Sequence, residues 1–170
     1  MNQVRIRPIE ASDAASLFEA ATESIAEVHP WLPWCRPGYQ QSEAAGWVAL
    51  QLGHWLTRTE FQFAIVAADG RFLGGCGINA INSEHRCANL GYWVRTSALG
   101  LGAATRATRL ARDWAMKNTG LERLEIIAAV DNLPSLRVAE KAGATHEGTL
   151  RARLCIHGQS HDAQVYSFTR

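Results

Sequence analysis

Two turns in the sequence, each directly after an apolar strand, contain the residue types that could bind a phosphate or move a proton. The first turn, residues 99–104, follows a strand at residues 88–94 and opens a long helix. A helix start presents unpaired backbone N–H groups and a positive dipole end, which favour an anion. Gly102 permits a close backbone approach and Thr105 adds a hydroxyl. The turn predicts a pyrophosphate cradle, with an ordinary helix start as the alternative.

The spacing of this turn differs from the two best-known phosphate motifs. No Gly-Lys-Ser/Thr follows it, as a P-loop requires. Gly100-x-Gly102-x-x-Thr105 also lacks the third glycine of a dinucleotide fingerprint. The turn is therefore neither a P-loop nor a dinucleotide fingerprint, and alone it does not identify a ligand.

The second turn contains Asn132 and Ser135 and follows a nearly continuous apolar strand at residues 124–130. Such a strand is typical of one covered on both faces. Because Asn132 and Ser135 are three residues apart, both side chains can face the end of that strand. Two neighbouring strands that each end in a polar turn form a cleft. The alternative is that both residues only cap the short helix that follows.

The periodicity of the apolar residues predicts the elements that position the two turns. Val4 and Ile6 predict an opening strand, and the helical spacing of Leu17, Ala21, Ile25 and Val28 predicts a first helix after Ser12 and Asp13. A loop at residues 29–41 and a helix from Ser42 follow. Asp69-Gly70 predicts a hairpin, and its return strand is expected to have a bulge or a close backbone approach at Gly74, Gly75 and Gly77. The remaining predicted elements are a helix ending at Gly143 and two strands joined around Gly158. The order is β-α-α-β-β-β-α-β-α-β-β, an α/β (α+β) fold whose mixed sheet has helices on both faces.

Composition limits the classes of protein and partner. The chain has 170 residues with 47% hydrophobic and 19% charged, which indicates one folded domain over residues 1–170. A net charge of +1 argues against nucleic acid as a partner. The sequence contains no signal peptide and no apolar run near the ~20 residues of a membrane span, so we expect a cytoplasmic protein without a membrane partner. The isolated Cys35, Cys76, Cys87 and Cys155 indicate free thiols and no metal site.

Several longer runs resemble the GNAT superfamily of N-acetyltransferases. Gly91-Tyr92-Trp93-Val94 with the run from Gly100 to Ala107 resembles its acetyl-CoA motif. Asp131-Asn132-x-x-Ser135 with Ala139-Glu140-Lys141-x-Gly143 resembles the second motif of the RimL/RimJ branch. Trp31-Leu32-Pro33-Trp34 and the closing run from Gly158 to Ser167 are also similar to that branch, so the resemblance covers nearly the whole chain.

The resemblance implies a GNAT fold with splayed strands 4 and 5 and acetyl-CoA as cosubstrate. It implies that Val94 pairs with the pantetheine arm, that Asn132 hydrogen-bonds this arm or its thioester end, and that Ser135 is catalytic, protonating or stabilising the departing thiolate. The pyrophosphate would be held by the backbone of Gly100, Leu101, Gly102, Ala103, Ala104 and Thr105. The acceptor would be bordered by Trp31, Trp34, Asn89 and His157, although aromatic residues in a proline-rich loop can equally fill the core.

The sequence departs from these relatives at four positions. Leu99 replaces a side-chain donor at the head of the turn, and Ala139 stands where many relatives have a tyrosine general acid. Asn89 and Leu154 stand where relatives have acidic residues, so no carboxylate base can be named from the sequence. His157 and His161, near the closing turn, are the histidines best placed to replace it.

The sequence therefore predicts transfer of acetyl from acetyl-CoA to an amine by direct attack in a ternary complex. Without a named base, we expect an α-amino group of a protein terminus, peptide conjugate or small molecule, because it is already partly neutral at pH 7. The alternative is a catalytically degenerate acyl-CoA-binding regulatory module. The identity of the acceptor, the acyl-chain preference and the oligomeric state, including a homodimer, stay open.

Overall fold

The computed structural model describes residues 4–170 and contains one seven-stranded sheet in the order β1-β2-β3-β4-β5-β7-β6. The strands are β1 (Arg5–Pro8), β2 (Phe61–Val66), β3 (Phe72–Asn82), β4 (Cys87–Val94), β5 (Arg123–Ala129), β6 (Thr145–Ile156) and β7 (Gln159–Thr169). The helices are α1 (Ala14–Glu23), α2 (Ile25–Val28), α3 (Gln41–Thr57), α4 (Ala103–Asn118) and α5 (Leu133–Ala142). Single 3-10 turns cover Ala11–Asp13 and Thr96–Ala98. Among the described helices, none is long and apolar enough to cross a membrane.

The sheet separates two sets of helices. Alanines of α4 and α5 pack with Leu90 in one buried cluster, whereas residues of α1 and α3 pack with Ala64 in another. All sheet pairings are antiparallel except that of β4 with β5, which is parallel. The predicted mixed sheet with helices on both faces is therefore confirmed.

The predicted splay between the fourth and fifth strands is also confirmed. β4 pairs with β5 only where Cys87, Ala88 and Asn89 face Arg123, Leu124 and Glu125. Residues 90–94 of β4 lie beyond this pairing, while β5 continues alongside β7. The edges of two central strands are thus open to a ligand at this point.

Three glycines of β3 allow groups of the neighbouring strands to lie close, as predicted. Gly74 has φ +149°, and a Cβ there would lie 2.2 Å from the carbonyl oxygen of Trp93. A Cβ at Gly77 would lie 2.0 Å from Oε1 of Gln62, so the side chain of Gln62 occupies the space over this glycine. A register shift in the β2–β3 pairing accompanies Gly74.

Two element predictions are corrected. The first helix is interrupted at Ser24, whose hydroxyl donates to the Ala20 carbonyl and accepts from the backbone N–H of Thr96. The last two strands begin at Thr145 and Gln159, earlier than their apolar residues indicate. β6 is an edge strand with mostly exposed side chains, and this exposure removes the alternation that would mark its beginning.

Candidate active site

A cavity of about 890 Å³ opens where β4 and β5 separate, and residues from both faces of the sheet line it. Tyr92 and Val94 belong to the face covered by α4 and α5, whereas Trp93 packs against the α1 and α3 side. The cavity therefore offers two approaches to one point in the sheet. Chemically distinct groups line the two approaches.

The first turn lies at the start of α4, as predicted. Gly100 and Gly102 have φ +72° and +75°, values that glycine adopts without strain. Gly102 is the N-cap, and none of the described side chains caps this helix, so its first N–H groups are available to an anion. Leu99 and Ala104 of this turn line the cavity, and a Cβ at Gly102 would meet nothing within 4 Å.

Asn132 and Ser135 both line the cavity, from the start of α5. The Oδ1 atom of Asn132 accepts a hydrogen bond from the backbone N–H of Ser135 at 3.3 Å. Asn132 is therefore the helix cap that the alternative interpretation described. The capping bond also fixes the backbone from which the Ser135 side chain extends into the cavity.

Tyr92 contacts Ser135 through its hydroxyl. This hydroxyl lies 2.8 Å from the carbonyl oxygen of Ser135, to which it donates, and 3.1 Å from the Ser135 Oγ atom. With its proton used on the carbonyl, Tyr92 accepts the hydrogen of Ser135. Burial raises the pKa of Tyr92 to about 12, so the phenol stays protonated at neutral pH. Alternation along β4 assigns Tyr92 to the face of Leu90 and Val94, but no pattern in the sequence gives its hydroxyl a role.

Three amide side chains line the cavity on the other face of the sheet: Gln62, Asn79 and Asn89. Asn79 and Asn89 are cross-strand partners, and Asn89 Nδ2 donates to Asn79 Oδ1 at 2.9 Å. Gln62 lies opposite Gly77, which in turn faces Gly91. These amides provide neutral donors and acceptors, and the glycines beside them leave room for a ligand.

Aromatic side chains from the loop after α2 border the same side. Trp31 and Trp34 line the cavity, and the Trp34 ring lies 5.4 Å from that of Trp93 and 5.5 Å from that of Tyr39. Trp34 is 37% exposed, whereas burial raises the pKa of Tyr39 to about 12. Both interpretations of this loop therefore apply, because Tyr39 is partly buried against the core and also lines the cavity, while Trp34 is more exposed at the same opening.

His157 lies outside the set of described residues that line the cavity. Its ring packs against His29 with centroids 4.5 Å apart, and its Nε2 atom lies 2.8 Å from the His29 carbonyl oxygen. His161 is paired with Leu154 in the β6–β7 ladder and is likewise absent from that set. Leu154, Cys155 and Ile156 line the cavity instead.

Three glutamates, Glu27, Glu43 and Glu60, line the cavity on the amide side. Glu27 accepts a hydrogen bond from Thr96 Oγ1 at 2.7 Å. Glu43 is bound by Arg36 at 2.8 Å and by the backbone N–H of Gln40 at 2.9 Å. Glu60 lies 3.7 Å from His54 Nδ1. The sequence alone does not indicate these three glutamates, because they lie in separate segments and form no motif.

Two kinds of comparison relate the chain to known proteins. A family model described as an acetyltransferase (GNAT) domain matches residues 3–145. YdaF of Bacillus subtilis (strain 168), whose name marks it as a candidate ribosomal N-acetyltransferase, is 28% identical over 170 residues, 98% of this chain and 91% of YdaF. Spermidine N(1)-acetyltransferase of Escherichia coli (strain K12) is 31% identical over 162 residues, 95% of this chain and 83% of that enzyme.

Solved structures agree with the sequence comparison. RimJ of Mycobacterium smegmatis, in complex with CoA-disulfide, superposes with a TM-score of 0.84 and 27% sequence identity. The superposition covers 98% of this chain and 81% of the RimJ chain. Nearly the whole described chain therefore shares its arrangement with a protein that was solved with a CoA derivative.

Proposed function

Because the chain belongs to the GNAT acetyltransferase family, we propose that it transfers acetyl from acetyl-CoA directly to an α-amino group. The observation that carries this proposal is the cavity at the splay of β4 and β5, which Ser135 lines on one face and Asn89 on the other. A donor and an acceptor molecule can approach this point from opposite faces and react without a covalent enzyme intermediate.

The residues fit acetyl-CoA on one face of the sheet. The N–H groups at the start of α4, with Gly102 as N-cap, suit a pyrophosphate. The open edge of β4 from Leu90 to Val94 offers backbone hydrogen bonds to the pantetheine arm, in the way that an added strand pairs with a sheet edge. Asn132 and Ser135 would then lie near the thioester end.

The reaction forms an N–C bond and breaks the C–S bond, so the departing sulfur needs a proton. Ser135 supports this step, because its hydroxyl lies in the cavity and is backed by Tyr92 at 3.1 Å. When Ser135 donates, Tyr92 can turn its own hydrogen from the carbonyl oxygen to Ser135 Oγ. This arrangement replaces the tyrosine that the sequence lacks at Ala139, a fully buried position of α5.

The acceptor must be neutral to attack. An α-amino group with a pKa of about 7.7–8.0 is about a tenth neutral at pH 7, whereas a lysine side chain near ~10.4 is almost wholly protonated. Asn89 and Leu154 line the cavity as uncharged residues, so neither can accept a proton from a bound ammonium before it attacks. These features support an α-amino group of a protein, peptide or small molecule.

Two synthetic peptides test the acceptor. One has a free N-terminus and no lysine, and the other is N-terminally blocked with one internal lysine; spermidine serves as a third acceptor. We expect release of free CoA thiol with the first peptide, at a rate that rises with pH and levels off near the pKa of its amine. Faster acetylation of the lysine peptide at pH 7 and equal concentration would contradict the acceptor class. Stabilisation by acetyl-CoA without thiol release from any amine would indicate the binding module instead.

A further inference from the structure

Acetyl transfer to an amine releases one proton from nitrogen. The residues assigned to the reaction so far supply a proton donor but no proton acceptor. Asn89 and Leu154 occupy the two positions at which the family resemblance leads us to expect acidic residues. An acceptor must therefore come from another element that reaches the cavity. The three glutamates lining it are the candidates, and their surroundings differ.

Two of the three carboxylates are occupied by other groups. Glu27 holds the Thr96 hydroxyl, and Glu43 holds Arg36 together with the backbone at the start of α3. Glu60 has no hydrogen-bond donor among the described residues at hydrogen-bond distance. Its side chain is 30% exposed and faces the cavity, so the carboxylate oxygens can accept a hydrogen bond from a ligand or a water molecule.

The sheet places Glu60 beside the cavity amides. Phe61, which follows it, is buried in the core cluster of α4, so alternation directs Glu60 to the same side as Gln62. Phe61 pairs with Ile78, so the residue opposite the Glu60 position is Asn79, which pairs in turn with Asn89. Glu60, Gln62, Asn79 and Asn89 therefore form one polar strip on the acceptor side.

His54 lies next to the Glu60 carboxylate. Its Nδ1 atom is buried, has no hydrogen-bond partner among the described residues, and lies 3.7 Å from Glu60 Oε2. A buried ring nitrogen without a partner is costly, and a hydrogen bond from Nδ1 to the Glu60 carboxylate would remove this cost. The nearest other charge in sequence, Arg58, is turned away, with its guanidinium 5.4 Å from the Phe61 ring and donating to the Asn118 carbonyl at 2.9 Å.

We propose that Glu60 is the general base of the acetyl transfer and that His54 positions its carboxylate. The inference rests on the proposed function. When nitrogen attacks the thioester carbonyl, the N–C bond forms and nitrogen becomes positively charged. Glu60 takes the proton from this nitrogen, directly or through one water, and the C–S electron pair leaves on sulfur as a thiolate, which the Ser135 hydroxyl stabilises by donating a hydrogen bond. Glu60 then returns its proton to solvent, and the thiolate takes one up. An attacked nitrogen is far more acidic than a free ammonium, so an ordinary carboxylate suffices at this stage.

The test compares variants of Glu60 in the full chain with acetyl-CoA and the N-terminal peptide. Glu60→Gln keeps the shape and removes the base, and should lower kcat by about 100- to 10,000-fold with KM for acetyl-CoA unchanged. Glu60→Ala should regain activity when formate is added, because a small carboxylate can enter the vacated space. Glu27→Gln and Glu27→Ala, at a cavity glutamate already bonded to Thr96, are the matched controls, and formate should not affect either variant.

The role of His54 is tested by a pair of variants. Asn places an amide nitrogen near the position of Nδ1, whereas Leu has similar bulk and no donor. His54→Leu should lower kcat by about tenfold or less, as expected for one hydrogen bond, and His54→Asn should restore most of it. Equal kcat values for these two variants would remove the positioning role.

The outcomes separate this inference from the proposed function. A wild-type chain that acetylates none of the amines would overturn both. Wild-type turnover accompanied by an equal turnover of Glu60→Gln, or by formate rescue in Glu27→Ala as strong as in Glu60→Ala, would overturn the assignment of Glu60 alone. Circular dichroism and thermal melting of each variant verify that the chains compared are folded.

Discussion

A single substitution at the start of α4 tests where the pyrophosphate binds. Gly102 has φ +75° and open space around its Cβ position, so a side chain meets no protein atom there. The backbone conformation still disfavours most residues, but Asn and Asp tolerate it better than others. Gly102→Asp and Gly102→Asn therefore have the same shape and similar strain. They differ in one negative charge at the helix N-terminus.

The magnitude follows from the geometry. Ligand at a hundred times its Kd stabilises the folded chain by ~2.7 kcal/mol, which for a domain of this size raises the Tm by about 5–11 °C. A carboxylate about 4 Å from a phosphate charge costs ~4 kcal/mol at an effective dielectric constant of ~20. This raises Kd roughly a thousandfold, at ~1.4 kcal/mol for each factor of ten. The Tm shift in Gly102→Asp should then be undetectable at the same ligand concentration.

Differential scanning fluorimetry with and without acetyl-CoA measures the effect. The two variants should melt at similar temperatures without ligand, because their backbone strain is shared. With ligand, Gly102→Asn should retain a reduced shift, and Gly102→Asp should show none. If the aspartate variant is stabilised as much as the asparagine variant, no phosphate lies at this turn and acetyl-CoA binds elsewhere.

Two further predictions concern the acid group and the fold. Ser135→Ala should lower kcat by about 10- to 1000-fold with Kd for acetyl-CoA within a few-fold. Tyr92→Phe should lower kcat by about two- to tenfold in the wild-type chain and by much less in the Ser135→Ala variant. A thiol-release assay of the double variant measures this difference, and additive losses of kcat would show that the two hydroxyls act independently. Arg95 and the backbone N–H of Ser97 hold the pKa of Glu23 at about 2, below its ordinary 4.5. This stabilisation is present above pH 4.5 and lost as pH falls towards 2, so denaturant unfolding should show a smaller acid loss in Glu23→Gln than in the wild-type chain.

The parts of the site that the sequence predicts are those built from local segments. The turn at Gly102 and the pair Asn132 and Ser135 each lie within one strand–turn–helix unit, where glycine, capping residues and apolar strands are readable. The splay followed only from the resemblance to a family. Periodicity cannot show it, because the apolar alternation of Ala88, Leu90, Tyr92 and Val94 continues unchanged from the paired into the unpaired part of β4.

The groups that the sequence did not reveal depend on contacts between distant segments. The hydroxyl of Tyr92 meets Ser135 across 43 positions, and Ser24 ends α1 through a bond to Thr96, 72 positions away. Neither contact leaves a pattern within either segment. Glu60 precedes a strand whose alternation gives its side of the sheet, but the register with β3 is needed to place it beside the Asn79 position and the cavity. His157 is a candidate base because the closing turn lines the acceptor side in the relatives that the sequence resembles, and the structure instead packs His157 against His29.

The position of Glu60 bears on how charge develops during the reaction. A carboxylate at Asn89 would adjoin the splay, where the thioester oxygen acquires negative charge as the amine attacks and the base is still ionised. Glu60 directly precedes β2, which lies two strands from β4, a separation of ~10 Å at the usual ~4.8 Å strand spacing. At an effective dielectric constant of ~20, repulsion between unit charges falls from ~3 kcal/mol at ~5 Å to ~1.7 kcal/mol at ~10 Å. A distant base therefore opposes the attack on the thioester less. The neutral Asn79 and Asn89 between them can hold the water or the amine that carries the proton across this distance.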